Sequence, residues 1–115
     1  MLPKMHRLKS SRDFNKVFKG GKTADNLFLK IKFLKNRQNV TRFGFIIGIK
    51  FSKRAAIRNL IKRRLRAAAS SLFKETKPGF DIVIWPKEAV KKETDYQALL
   101  IHLKGLLNKN DLLFI

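Results

Sequence analysis

Arg54, Arg58, Lys62 and Arg66 recur at every fourth position of the stretch Lys53–Arg66, KRAAIRNLIKRRLR. Helical periodicity stacks side chains four apart on one face, and Arg63 and Asn59 widen that face. Five cations and a polar amide then share a surface about 18 Å long, at roughly 1.5 Å rise per residue. Ile57, Ile61, Leu65, Ala68 and Leu72 fall on the opposite side as a stripe for burial. Like charges four apart repel by about 0.2–0.5 kcal/mol per pair. No carboxylate lies between Asp25 and Glu75 to offset that repulsion. Such a face suits a polyanion, and a phosphate backbone is the best candidate. Most charged helix faces are merely solvated, but those interleave Glu with Lys. An acidic protein or a membrane surface remains the other kind of partner.

Groups able to perform catalysis are sparse. The eight acids are scattered, with no D-x-D or H-E-x-x-H arrangement of the kind a metal-dependent nuclease needs. His6 and His102 have no cysteine partners, and His102 on a leucine-rich segment reads as structural. Gly20-Gly21-Lys22-Thr23 has the end of a phosphate-binding loop but lacks a glycine at Lys16 and a preceding strand. No catalytic and no metal-ligating residue of the protein is assigned.

Elements must place the basic face, and the chain has room for one domain, residues 1–115. A hydrophobic fraction of 44% with ten Phe indicates a folded core, not a basic tail. The net charge of +19, from 27 Lys and Arg against 8 Asp and Glu, implies salt-dependent association with polyanions. There is no cysteine. Neither a signal-peptide pattern nor a run of about 20 apolar residues is present, so a cytoplasmic protein without membrane contact is expected.

Residues 1–9 read as an irregular basic arm. Ser10 and Asp13 have capping-box spacing for a helix carrying Phe14, Val17 and Phe18, stopped by Gly20-Gly21. Residues 26–35 alternate, with Leu27, Leu29, Ile31 and Phe33 on one face and Phe28, Lys30, Lys32 and Leu34 on the other. The second face is either an ordinary half-exposed surface or a platform for a stacked base. Residues 42–50 form a second strand, joined to the first as an antiparallel hairpin, with Gly44 and Gly48 allowing close approach on one side. Ser52 is the expected N-cap of the basic helix, which ends near Lys74 before Pro78-Gly79. Residues 80–85 form a strand covered on both faces, and Thr94 with Gln97 opens a last leucine-rich helix. The apolar tail 112–115 packs on the domain. The order predicts an α/β (α+β) two-layer sandwich, a small sheet with about three helices.

Read together, these segments resemble the protein subunit of bacterial ribonuclease P. Lys53, Ala55, Arg58, Asn59, Ile61, Lys62, Arg63 and Arg66 match that family's helix signature, K-x-A-x-x-R-N-R-I-K-R with a further Arg. RLKSSRDFNKVFKGGK, RFGFIIGIK and GFDIVIWPK resemble its opening helix, second strand and third strand in order. The resemblance implies a mixed sheet, the fold of the second domain of a small-subunit ribosomal protein, and a left-handed βαβ crossover against the usual rule. It implies a noncatalytic subunit, monomeric in a 1:1 ribonucleoprotein, aiding removal of the 5′ leader from precursor tRNA. The magnesium that cleavage needs would be bound mainly by the RNA subunit. Lys53, Arg54, Arg58, Asn59, Lys62, Arg63, Arg64 and Arg66 would hold the catalytic RNA. Phe14, Phe18, Phe28, Lys30, Lys32 and Lys50 would meet the leader. Leu60 stands where the family usually has Arg, and Arg64, one turn on, is expected to take over its role. A general or ribosomal RNA-binding protein is the alternative, and a stand-alone nuclease a third.

Overall fold

Ile82, Val83 and Ile84 are consecutive and fully buried, so the strand that carries them needs cover on both faces and a neighbour on each edge. In the computed structural model, which describes residues 2–114, that strand is central. The elements are α1 (Ser11–Gly20), β1 (Lys22–Asp25), β2 (Leu29–Lys35), β3 (Arg42–Phe45), α2 (Ala55–Leu72), β4 (Phe80–Pro86) and α3 (Tyr96–Lys109). The sheet order is β1-β2-β4-β3. β2 is antiparallel to both β1 and β4, while β3 runs parallel to β4. The expected hairpin between β2 and β3 is therefore corrected: β4 lies between them, and β2 turns back from β1 instead. β3, α2 and β4 form a parallel βαβ unit.

Strand alternation sends Ile82 and Ile84 to the face under α2 and α3, with Leu29, Ile31 and Phe43. Ile61, Leu65 and Leu72 of α2 and Leu99, Leu103 and Leu107 of α3 complete that core. Val83 points to the other face, where Val17 of α1 and Leu8 cover it. The helix pair and the sheet make the expected sandwich, and α1 adds a partial layer behind it.

Several boundaries moved for local reasons. Ser10 caps α1 by accepting from the Arg12 amide at 3.2 Å, while Asp13 turns away to pair with Arg42. Asn26 Oδ1 accepts from the amides of Phe28 at 3.0 Å and Leu29 at 2.8 Å. That turn breaks the alternation anticipated from residue 26, leaving Leu27 exposed. β3 stops at Phe45, and irregular turns occupy the span up to α2. Ser52 Oγ accepts from the Arg54 amide at 3.2 Å, but Arg54 is the residue at the N-cap of α2. Asp95, not Thr94, caps α3, accepting from the Ala98 amide at 2.9 Å.

Both ends of the described chain are tied down. Leu2 is buried in the main core, and the Leu8 amide donates to the Phe43 carbonyl at 2.8 Å. The basic arm is thus docked along β3; Met1 lies outside the described residues. Leu112 and Leu113 are buried as expected of the tail, whereas the Phe114 side chain is exposed and only its amide is engaged, donating to the Glu75 carbonyl at 2.8 Å. Ile115, the last tail residue, also lies outside the described residues.

Candidate nucleic-acid interface

The cations of α2 sort by angle around the helix. At about 100° per residue, Arg58, Lys62 and Arg66 descend one flank of the buried stripe, and Asn59 and Arg63 continue the band outward. Arg58 and Arg66 are half-buried; Asn59, Lys62 and Arg63 are exposed. Lys53 and Arg54 precede the first turn, so they extend the band along the incoming loop instead of stacking on the helix. Arg54 makes no side-chain cap, and the first turn holds no acid. The positive end of the helix dipole therefore adds to the field of the cations. Among the described residues, ion pairs engage only Arg42, Lys77, Lys87 and Lys104 as cations. No acid among the described residues pairs with a cation of α2.

Arg64 stands apart. It lies on the opposite flank, where its Nη1 donates to the carbonyls of Lys92 at 2.6 Å and Thr94 at 2.9 Å. The guanidinium expected to stand in for Leu60's missing charge is engaged by the loop ahead of α3, away from the flank of Arg58, Lys62 and Arg66.

A second surface lies over α1. Phe14 and Phe18 have ring centroids 6.2 Å apart, and Trp85 continues the row 5.9 Å beyond Phe18. Gly44 makes the row possible, because a Cβ there would meet the Phe14 ring at 2.5 Å. Lys30 Nζ stands 5.1 Å from the Trp85 ring centroid, a cation–π contact between paired residues of β2 and β4. Lys32 Nζ donates to the Phe18 carbonyl, so its charge is anchored at the end of α1. Phe28 does not join this group. It stacks on His102 of α3 at 4.0 Å, under the helix pair, because the Asn26 turn sets its direction. Lys50 is exposed in the loop before α2 and lines a separate cleft of about 850 Å3 that Trp85 also borders.

The two surfaces meet. Lys62 and Arg66 of α2 line a groove of about 390 Å3 together with Arg7, Lys9 and Phe14, across the edge strand β3. Sequence reasoning missed Trp85, although its place two residues beyond Val83 puts it on the α1 face by alternation.

It also missed the tie that holds α1 in place. Arg42 grips Asp81 with Nε to Oδ1 at 2.8 Å and Nη2 to Oδ2 at 2.7 Å. Its Nη1 reaches Asp13 of α1 at 3.2 Å, and Asn36 Nδ2 donates to Asp81 at 2.8 Å. The bonds to Asp81 hold the Arg42 guanidinium above the usual arginine range despite its burial. On the surface, the Lys87 ammonium donates to Asp25 at 2.7 Å and keeps that carboxyl below its usual range, with Lys30 adding to the effect.

No group of three or more His, Cys, Asp or Glu side chains among the described residues is arranged to hold a metal ion. His6 Nδ1 donates to the Thr41 carbonyl, 2.7 Å away, and the ring packs on Phe73. No helix among the described residues is long and apolar enough to cross a membrane.

Comparison with known proteins agrees with this layout. The family model for Ribonuclease P matches residues 2–111. The chain is 42% identical over 106 residues to the ribonuclease P protein component of a Picosynechococcus species, across 92% of this chain and 90% of that protein. It is 37% identical over 116 residues to that of Syntrophomonas wolfei, across 96% of each. The solved RNase P protein of Thermotoga maritima matches with a TM-score of 0.80 and 32% identity, over 90% of this chain and 96% of that one. That of Staphylococcus aureus shares the fold at a TM-score of 0.83 and 21% identity, over 95% and 98%.

Proposed function

The chain belongs to the ribonuclease P protein family, and on that premise we propose that it is the noncatalytic subunit of a cytoplasmic ribonucleoprotein that removes the 5′ leader of precursor tRNA. In this reading one copy binds one catalytic RNA through Lys53, Arg54, Arg58, Asn59, Lys62, Arg63 and Arg66. The leader lies along Phe14 and Phe18, with Lys30 and Lys32 beside it and Lys50 further along. Magnesium bound by the RNA would activate the attacking water and stabilise the departing oxygen. Three of the protein's own acids are committed elsewhere: Asp13 and Asp81 to Arg42, Asp25 to Lys87.

The work of the protein is electrostatic and geometric. Two phosphate backbones repel when they approach, and unpaired cations between them offset that repulsion. Aromatic rings hold a single strand by stacking, without regard to sequence. The observation that carries the proposal is the groove where unpaired Lys62 and Arg66 share walls with Phe14. Both RNAs can be met there by one rigid surface.

The test mixes purified protein with precursor tRNA and magnesium, with and without the catalytic RNA. Cleavage should need the RNA and be stimulated by the protein at low magnesium. Affinity for the RNA should fall by orders of magnitude between about 50 and 200 mM salt if roughly 6–10 phosphates are contacted. The K62A/R66A variant should flatten that salt dependence by about two units of slope. Cleavage by the protein alone would establish a nuclease. Absence of stimulation would leave a general RNA-binding protein.

A further inference from the structure

The row of rings does not end with α1. Trp85 borders both the Phe14–Phe18 face and the neighbouring cleft of about 850 Å3. The inner wall of that cleft is apolar, with Ile46, Phe51, Ile57 and Val90. Its rim carries Lys50, Lys91 and Lys92, along with Glu88 and Glu93. The rim is also held in position, since Arg64 fixes the carbonyls of Lys92 and Thr94.

We infer that Trp85 is a third stacking ring and that the cleft beside it receives one nucleobase of the single strand that passes over α1. This extends the leader assignment above and rests on it. Continuity argues for such an occupant: Trp85 follows Phe18 at 5.9 Å, close to the 6.2 Å step between Phe14 and Phe18. Chemistry argues for a base and against a phosphate inside. Apolar walls and an indole face suit a π-surface, while the charges of the cleft, three lysines and two glutamates, stand at its rim and not on those walls. Lys30, 5.1 Å from the indole centroid, and Lys50 remain outside the walls for the flanking phosphates. The Lys30 contact also fixes the indole plane before any strand arrives, which lowers the ordering cost of stacking.

Trp85 is the only tryptophan in the chain, so its fluorescence reports the site directly. Protein assembled with the catalytic RNA is titrated with precursor tRNAs whose leaders lengthen one nucleotide at a time. Fluorescence should change abruptly at one leader length, and an abasic nucleotide at that position should abolish the change. In single-turnover assays W85A should weaken binding of longer-leader substrates by about 10- to 100-fold. It should leave the shortest unaffected, and W85F should restore most of the loss. Wild-type fluorescence that is blind to leader length would overturn the inference even if W85A failed to fold. If F18A weakens leader binding and W85A does not, the third ring is refuted and the α1 assignment survives. If neither variant changes binding, both readings fall.

Discussion

Removing the Arg42 side chain tests how the leader face is supported. Arg42 and Asp81 form a two-pronged pair at 2.8 and 2.7 Å, with side chains only 16% and 6% exposed. Arg42→Ala leaves a buried carboxylate whose Oδ2 loses its protein partner, while Oδ1 keeps the Asn36 amide. Breaking a buried pair in this way costs about 3–5 kcal/mol, and the retained amide places the loss near 3. Unfolding entropy of about 2.1 cal/mol/K per residue gives about 0.24 kcal/mol/K for a chain of 115 residues. The melting temperature should therefore drop by about 12 °C. Arg42→Lys keeps the charge but loses the fork, and should cost about half as much. Replacing both partners, R42M/D81L, should recover most of the loss, because no charge is then stranded. The sign with pH follows from the raised Arg42 value. A raised group contributes fully below its unfolded value and loses that contribution only as pH climbs through the folded one. The effect of R42A should thus be equal at about pH 6 and pH 9. Thermal melts read by circular dichroism decide the matter. A shift under about 3 °C for R42A, or a double variant worse than the single, would refute the account.

Arg64→Ala should leave affinity for the catalytic RNA unchanged in filter binding while lowering stability by about 1–2 kcal/mol, since its guanidinium is engaged in two bonds to carbonyls. Gly44→Ala should push the Phe14 ring off β3 at a cost of about 1–3 kcal/mol and weaken leader binding, with RNA-subunit affinity intact. The Asp25 carboxyl should titrate by NMR below the usual aspartate value, and Lys87→Ala should move it back toward that value. Because that folded value is depressed, the small stabilisation it gives is present above the unfolded value and fades as pH falls through the folded one.

The helices were legible because their periodicity is strong, and α2 carries the signature along with its own buried stripe. β4 was legible as an internal strand from three consecutive apolar residues. Its position between β2 and β3 was not, since a short connection between two strands favours a hairpin and nothing local reports a later strand's insertion. β1, KTAD, has no alternation to read. Phe28 lies on the core side with His102, not beside Lys30 and Lys32, because the alternation expected from residue 26 is broken at Asn26, whose side chain accepts from the Phe28 and Leu29 amides. Arg64 looked like one more cation of the band; only the position of residues 92 and 94, set by tertiary packing, shows where its charge is used. The network of Arg42, Asp81 and Asp13 joins residues far apart in sequence and leaves no spacing pattern.

Leu2 and the pair Leu112–Leu113 share one core. A chain synthesised from its amino end at about 5–20 residues per second cannot close that core until residue 113 has emerged from the ribosome. Until then the apolar sides of α2 and β4 stand open beside a cationic segment. Closure of that core is then the event that sets α2, and with it the cationic face, in its final place.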